Sequence, residues 1–381
     1  GDPNGPRPCE ARVRSRALTR GRLTFTLLVV AGAIAAGAAA ATRADPGVTP
    51  ATILLGGTAS LAGDASFARG ATAYFAHVNA RGGVRGRSVR YRLLDDSGDP
   101  ARALAGVRQL VERDSAFAIF GTVGTASALS VQPYLTAARV PHVFAAGAFR
   151  PSQRAEGWIY GSYVARSLPG ASVGVLLADD QDGRELLAGL RQGIARSRVR
   201  LVATERLDTT APDPEGQVAA LEAAGADVIA LFTGPREAAG AAAVAGARLL
   251  VAAAATGTRR WPDGAVSIGW VKDPADPRWR GDAALALYRD ILRRRGVAEI
   301  HGMAAGYELV RLLRAVGAEP TRVAVLARVA RLTDATNPFL LPGVVVRTGP
   351  GDSAPIDQAM LRRWTTGGWR GVGGLWRYRG R

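Results

Sequence analysis

Residues 56–125 place the tightest constraint on what this chain can fold into, because short apolar runs alternate there with segments of helical period. Residues 52–55, 89–94 and 116–120 read as strands, and 66–79 reads as a helix with Phe67, Ala71, Tyr74, Phe75 and Val78 on one face. Gly82-Gly83 ends that helix, since glycine accepts the left-handed turn beyond a C-terminus. Asp99-Pro100 opens the next one with an N-cap and a proline at the first helical position, ahead of Leu104, Val107, Leu110 and Val111. A helix at 125–137 and a fourth strand at 140–144 follow. Strand–helix–strand repeats of this length build parallel sheets with helices on their faces.

A second series starts after the 150–155 connection. Its strands are expected at 173–177, 200–205, 227–232 and 249–252, and its helices near 156–168, 183–196, 215–224 and 235–245. Residues 282–332 read as mostly helical, and 344–346, 359–364 and 368–378 as strands. Two α/β series, a helical return and a terminal β segment imply lobes that exchange chain more than once. The length of 381 residues, 48% of them apolar, suits two cores rather than one.

The formal charge of +17 is almost entirely arginine, with Lys272 the only lysine. The arginines are scattered along the chain, whereas a nucleic-acid footprint gathers charge on one stripe, so no nucleic-acid partner is expected. Weak attraction to anionic lipid or wall polymer is compatible with such a charge. Cys9 is the only cysteine, which excludes an intramolecular disulfide and a cysteine metal site. His77, His142 and His301 are far apart and read as surface or packed residues rather than ligands or bases.

Arg12, Arg14, Arg16, Arg20 and Arg22 precede an uncharged apolar run at 23–41, followed by Ala39-Ala40-Ala41 and Thr42-Arg43-Ala44 as cleavage sites. Residues 1–44 are therefore expected to be a signal peptide, cleaved on export to the periplasm or cell surface; the competing reading is a retained anchor. Cys9 lies before the apolar run, where a lipid-bearing cysteine would follow it. The segment carries seven arginines and two acids, so its removal lowers the charge from +17 to +12.

Gly121-Thr122-Val123-Gly124-Thr125 joins a strand to a helix, where backbone N–H groups and threonine hydroxyls can meet an anion such as a carboxylate. The competing reading is a plain glycine turn. No Walker-type lysine and no GxGxxG accompanies the loop, which disfavours a nucleotide or a nicotinamide cofactor. Ala145-Ala146-Gly147-Ala148 is a second small-residue loop at a strand end. Asp95–Asp99 lacks the later glutamate of a calcium loop and is better explained by helix capping. Asp179, Asp180 and Asp182 face a helix start, where acids are favoured. No nucleophile–base pair or catalytic carboxylate pair emerges, so neither an enzyme nor a cofactor is expected. Trp364, Trp369, Trp376 and Tyr378 sit in alternating strands and read as packing.

Together these features resemble the leucine/branched-chain amino-acid binding proteins, of type I periplasmic-binding fold. The likeness runs over residues 46–376. It is carried by 56–125, by Val271-Lys272-Asp273-Pro274 with Asp276-Pro277, by Tyr307-Glu308-Leu309-Val310, and by Pro338-Phe339-Leu340-Leu341-Pro342-Gly343. The resemblance implies an α/β protein of two doubly wound lobes joined by about three crossings. Residues 46–150 with 268–338 would form the N-terminal lobe, and 151–267 with 339–381 the C-terminal lobe. It further implies a monomeric receptor holding a small molecule (an amino acid, amide or organic acid) between the lobes, closure of which signals an ABC permease with its ATPase.

Family site positions fall on Gly124, Thr125 and Ala126, which match the carboxylate-holding loop, and on Ala145, Gly147 and Ala148 of the second loop. Phe149 stands where a ligand-binding hydroxyl is usual, and Asp182 where an aromatic clamp is usual, offering an acid to an amine or other cation. Thr233 belongs to the third cluster. The connections after Phe149 and at 254–266 are short by about a strand, which implies a smaller, altered cleft. The alternative within this resemblance is an exported ligand sensor or degenerate family member without a transport role.

Overall fold

The computed structural model describes residues 45–62, 65–145, 149–207, 212–257, 260–292, 296–349 and 354–380. The expected signal peptide lies outside them, as do Gly147 and Ala148. The first series runs β1 (Thr52–Ala59), α1 (Ser66–Asn79), β2 (Ser88–Asp95), α2 (Pro100–Arg108), β3 (Ala118–Phe120), α3 (Thr125–Ala137) and β4 (His142–Val143). Its four strands form a parallel sheet in the order β2-β1-β3-β4. Side chains alternate across it. Ile119 packs with Ala103, Val107 and Val131 of α2 and α3, while Phe120 joins Phe67 and Phe75 of α1 on the opposite face.

The second series runs α4 (Gln153–Ser167), β5 (Ser172–Ala178), α5 (Gln181–Ile194), β6 (Arg200–Leu207), α6 (Pro214–Ala223), β7 (Val228–Phe232), α7 (Pro235–Val244), β8 (Arg248–Val251) and β9 (Val266–Gly269). The chain then returns to the first lobe as α8 (Ala283–Ile291), α9 (Val297–Val316) and α10 (Arg322–Val329). A two-stranded ladder of β10 (Thr333–Asp334) and β11 (Val346–Arg347) precedes the hairpin β12 (Gln358–Thr365) and β13 (Gly368–Arg377). That hairpin completes a seven-stranded sheet, β13-β12-β9-β8-β7-β5-β6, in which β12 runs antiparallel to β9. Strand β9 runs through the switch expected at 267/268 and stays in the seven-stranded sheet to Gly269. Phe339, just past the other expected switch, packs on Tyr74 and Tyr307 of the first lobe.

Glycine lets one helix pair in each lobe approach to backbone contact. A Cβ on Gly302 of α9 would lie 1.9 Å from the Phe67 carbonyl oxygen of α1, and one on Gly70 would lie 2.0 Å from that of Glu299. In the second lobe Gly157 of α4 and Gly189 of α5 meet the Leu186 and Arg154 carbonyls at the same 2.0 Å. Caps follow the sequence: Asp99 accepts from Ala101 and Arg102 N–H, and Asp180 accepts from Gly183 N–H.

Three segments connect the sheets, near 144–152, 270–282 and 335–357, and they are bonded to one another. Lys272 N–H donates to the Phe339 carbonyl and Leu341 N–H to the Trp270 carbonyl, each at 2.9 Å. Pro151 bridges Ile356, which also bridges Val346. Among the described residues no helix is long and apolar enough to cross a membrane.

Candidate functional site

A cavity of about 720 Å³ lies between the lobes, where strand ends and helix starts of both sheets converge. The first lobe contributes Phe67 and Arg69 of α1, Val123 to Thr125 of the β3–α3 loop, and Glu299 and His301 of α9. The second lobe and the crossings contribute Phe149, Arg150, Asp182, Trp270, Arg362 and Trp369. Helix α3 opens on this cavity with no side-chain cap, which leaves backbone N–H groups at its start.

The β3–α3 loop is shaped by Gly121 and Gly124, whose φ values of +66° and +98° exclude most side chains. Its two threonines have separate tasks. Thr122 is buried and shares a 3.1 Å hydrogen bond with His142 Nε2, away from the cavity. Thr125 lines the cavity, and its Oγ1 donates to Asp182 Oδ2 of the opposite lobe at 3.1 Å.

The floor is a buried polar cluster. Glu156, fully enclosed, accepts from Arg150, from the Tyr160 hydroxyl at 3.0 Å and from Ala253 N–H at 2.6 Å. Tyr160 also donates to the Val251 carbonyl at 2.6 Å, and burial drives its phenol well above the ordinary value. Arg150 lies 5.6 Å from the Trp270 ring centre, and Arg362 lies 5.4 Å from that of Trp369. Arg362 approaches Asp273 at 3.6 Å. The His301 ring stacks on Trp270 at 4.6 Å with 7° between planes. Burial, helped by Arg362 and Arg150, lowers the His301 pKa to about 3, so its imidazole is neutral at physiological pH. At the rim Arg69 pairs with Glu299 at 3.0 Å.

Of the expected site residues, the cavity gathers Gly124, Thr125 and Asp182. Ala126 is exposed outside it, Ala145 is buried beside it, and Thr233 is buried with its hydroxyl on the Gly234 carbonyl at 3.4 Å. Sequence reasoning passed over Arg69, Arg150, Trp270, Glu299 and Arg362, and it read His301 as a surface or packed residue and Trp369 as packing. Trp369 does pack on Trp364, with ring centres 5.4 Å apart, and it faces the cavity as well. The Val271–Pro274 motif pointed to the neighbourhood of Trp270, but no local pattern announced the arginines.

Comparison with known proteins supports this architecture. A solute-binding protein of an ABC transporter from Rhodopseudomonas palustris, in complex with 3,4-dihydroxybenzoic acid, superposes with a TM-score of 0.71 at 16% identity, covering 86% of this chain and 97% of that one. A branched-chain amino-acid ABC transporter protein from Thermus thermophilus with bound valine gives a TM-score of 0.75 at 15% identity, covering 87% and 98%. An amino acid binding protein of Pseudomonas aeruginosa is 27% identical over 175 residues, which is 42% of this chain and 47% of that relative, so the match spans about half the relative's length. The family model for periplasmic binding proteins matches residues 50–368. Its match covers the four-stranded sheet, six of the seven strands of the other sheet and all three connecting segments, and the chain belongs to the periplasmic binding protein family.

Proposed function

We propose that this protein is an extracytoplasmic solute-binding receptor that takes a small carboxylate-bearing molecule between its lobes and presents it to an ABC permease and its ATPase. The observation that carries the reading is the interlobe cavity of about 720 Å³, walled by aromatic rings and a few convergent charged groups. In this reading residues 46–150 and 270–338 move as one lobe, and 151–269 with 339–380 as the other. The crossings near Pro151, Val271 and Leu340 act as the hinge. Residues 1–44 direct export and are removed. The receptor performs no chemistry on its ligand: binding free energy is used to favour the closed form over the open one.

The R. palustris and T. thermophilus relatives carry an aromatic acid and valine in the corresponding fold, which supports a small organic ligand here. The test is calorimetry on the purified chain lacking residues 1–44, against amino acids, their amides and small organic acids, with X-ray scattering of the same samples. The expected result is one ligand per chain and a smaller radius of gyration on binding. Absence of both heat and compaction across the panel refutes the receptor reading.

A further inference from the structure

Resting on that reading, we propose that the ligand's acid group is held on the floor of the cavity by Arg150 and Arg362, and that the ligand is a planar aromatic carboxylate. The acid group then lies away from the 124–126 loop. Charge placement makes the first argument. Asp182, an acid, faces the loop and takes the Thr125 hydroxyl, so a second carboxylate there would meet a like charge. The floor turns two guanidiniums and a neutral imidazole toward the cavity, and their counter-ions Glu156 and Asp273 are not among the lining residues.

The donor inventory makes the second. Arg150 Nε, Arg362 Nε, Trp270 Nε1 and Trp369 Nε1 are buried and have no hydrogen-bond partner among the described residues. Four unmet N–H donors in four lining residues are costly unless rearrangement around an acceptor satisfies them. A carboxylate offers acceptors to several donors at once, and guanidinium matches its planar geometry. Arg362 is only loosely paired, reaching Asp273 at 3.6 Å, whereas Arg150 is paired with Glu156 Oε2 and keeps its Nε unmet.

Shape makes the third. Phe67, Phe149, Trp270, His301 and Trp369 line the same space. Ring walls on both lobes suit a flat, apolar body, which they can stack or meet edge-on as the lobes close.

The test is calorimetry with benzoate, phenylacetate, benzamide and L-leucine. Wild-type protein should bind benzoate or phenylacetate and discriminate against the uncharged amide by about 10- to 100-fold, the worth of a charge-assisted contact. That discrimination should shrink several-fold, to what Arg150 alone supplies, in Arg362→Gln combined with Asp273→Asn, a pair that removes a charge and its counter-charge together and leaves neither buried alone. Arg150→Lys, which keeps the charge on Glu156 but lacks the planar fork, should weaken benzoate by about tenfold. Equal binding of benzoate and benzamide overturns the acid-binding floor. L-leucine bound in preference to both aromatic acids overturns the ligand class and leaves the receptor reading standing. Silence across this panel and the wider one of amino acids, amides and acids overturns both.

Discussion

Thr125 and Asp182 face each other across the cavity from different lobes, joined by a 3.1 Å hydrogen bond from the threonine hydroxyl to Asp182 Oδ2. Thr125 begins α3 of the first lobe, and Asp182 lies in the first turn of α5 in the second. A bond that exists only when two lobes are close biases their equilibrium toward the closed form. Both residues are partly exposed, so the contribution is about 1 kcal/mol, or roughly fivefold in the closed-to-open ratio. Thr125→Val and Asp182→Ala should each enlarge the ligand-free radius of gyration measured by scattering, and the double variant should add little to either alone. Full additivity would show that the two side chains act independently.

Glu156 carries the larger energetic load. It is fully buried and meets Arg150, Tyr160 and Ala253 at the junction of α4 with the cavity floor. Removing it leaves Arg150 partly buried without its counter-ion, so Glu156→Ala should cost about 3–5 kcal/mol in urea unfolding. Tyr160→Phe removes one neutral donor and should cost about 1–2 kcal/mol. A ranking in which Tyr160→Phe is the worse variant would place the load on the hydroxyl's bond to Val251 instead.

The contrast between what the sequence announces and what it conceals follows from the range of each interaction. Strands and helices of the first lobe were legible because their period is local: the predicted α1 face of Phe67, Ala71, Tyr74, Phe75 and Val78 is buried. Asp99-Pro100 caps α2 because both the cap and the proline act within one turn. The cavity floor is assembled from Arg150, Trp270, His301, Arg362 and Trp369, which come from two crossings, one helix and a hairpin. No periodicity links positions so far apart. His301 reads as a packed residue because its stacking partner, Trp270, is contributed by another segment. Gly302 likewise looks dispensable in a helix until α1 is set against it.

Gly302 therefore provides a direct test of the packing. A methyl group at this position would lie 1.9 Å from the Phe67 carbonyl oxygen, which belongs to helix backbone and has no rotamer to yield. Gly302→Ala should cost about 1–3 kcal/mol through overpacking, despite alanine's better helix propensity. Gly281, where an added Cβ meets nothing within 4 Å, is the control, and Gly281→Ala should be nearly neutral. Equal melting temperatures for the two variants would mean that α1 and α9 separate freely.

Stability should fall as pH rises above 6.5 and again as it drops below 4.5, for reasons set by His142 and Glu308. Burial lowers the His142 pKa from 6.5 to about 4, so the folded protein binds this proton less readily than the unfolded chain. Its contribution is therefore present above 6.5 and is lost as pH falls toward 4. Glu308 is shifted the other way, from 4.5 to about 8, by burial and by Asp334 beside it. Glu308 Oε1 and Asp334 Oδ2 each lack a donor, an arrangement satisfied by a proton on Glu308 shared with Asp334, while Arg311 pairs with Asp334 at 2.9 Å and Asn337 donates to Glu308 at 3.4 Å. The folded state holds this proton where the unfolded chain releases it, so its contribution is present below 4.5 and is lost as pH rises toward 8. Urea midpoints across this range should therefore show Glu308→Gln flattening the fall between 6.5 and 8 and, because the two windows overlap with opposite sign between 4.5 and 6.5, steepening the acid limb there. His142→Asn should soften the acid limb only, with His301 accounting for part of what remains. An alkaline limb unchanged in Glu308→Gln would mean that the shared proton is absent and that Arg311 neutralises both carboxylates.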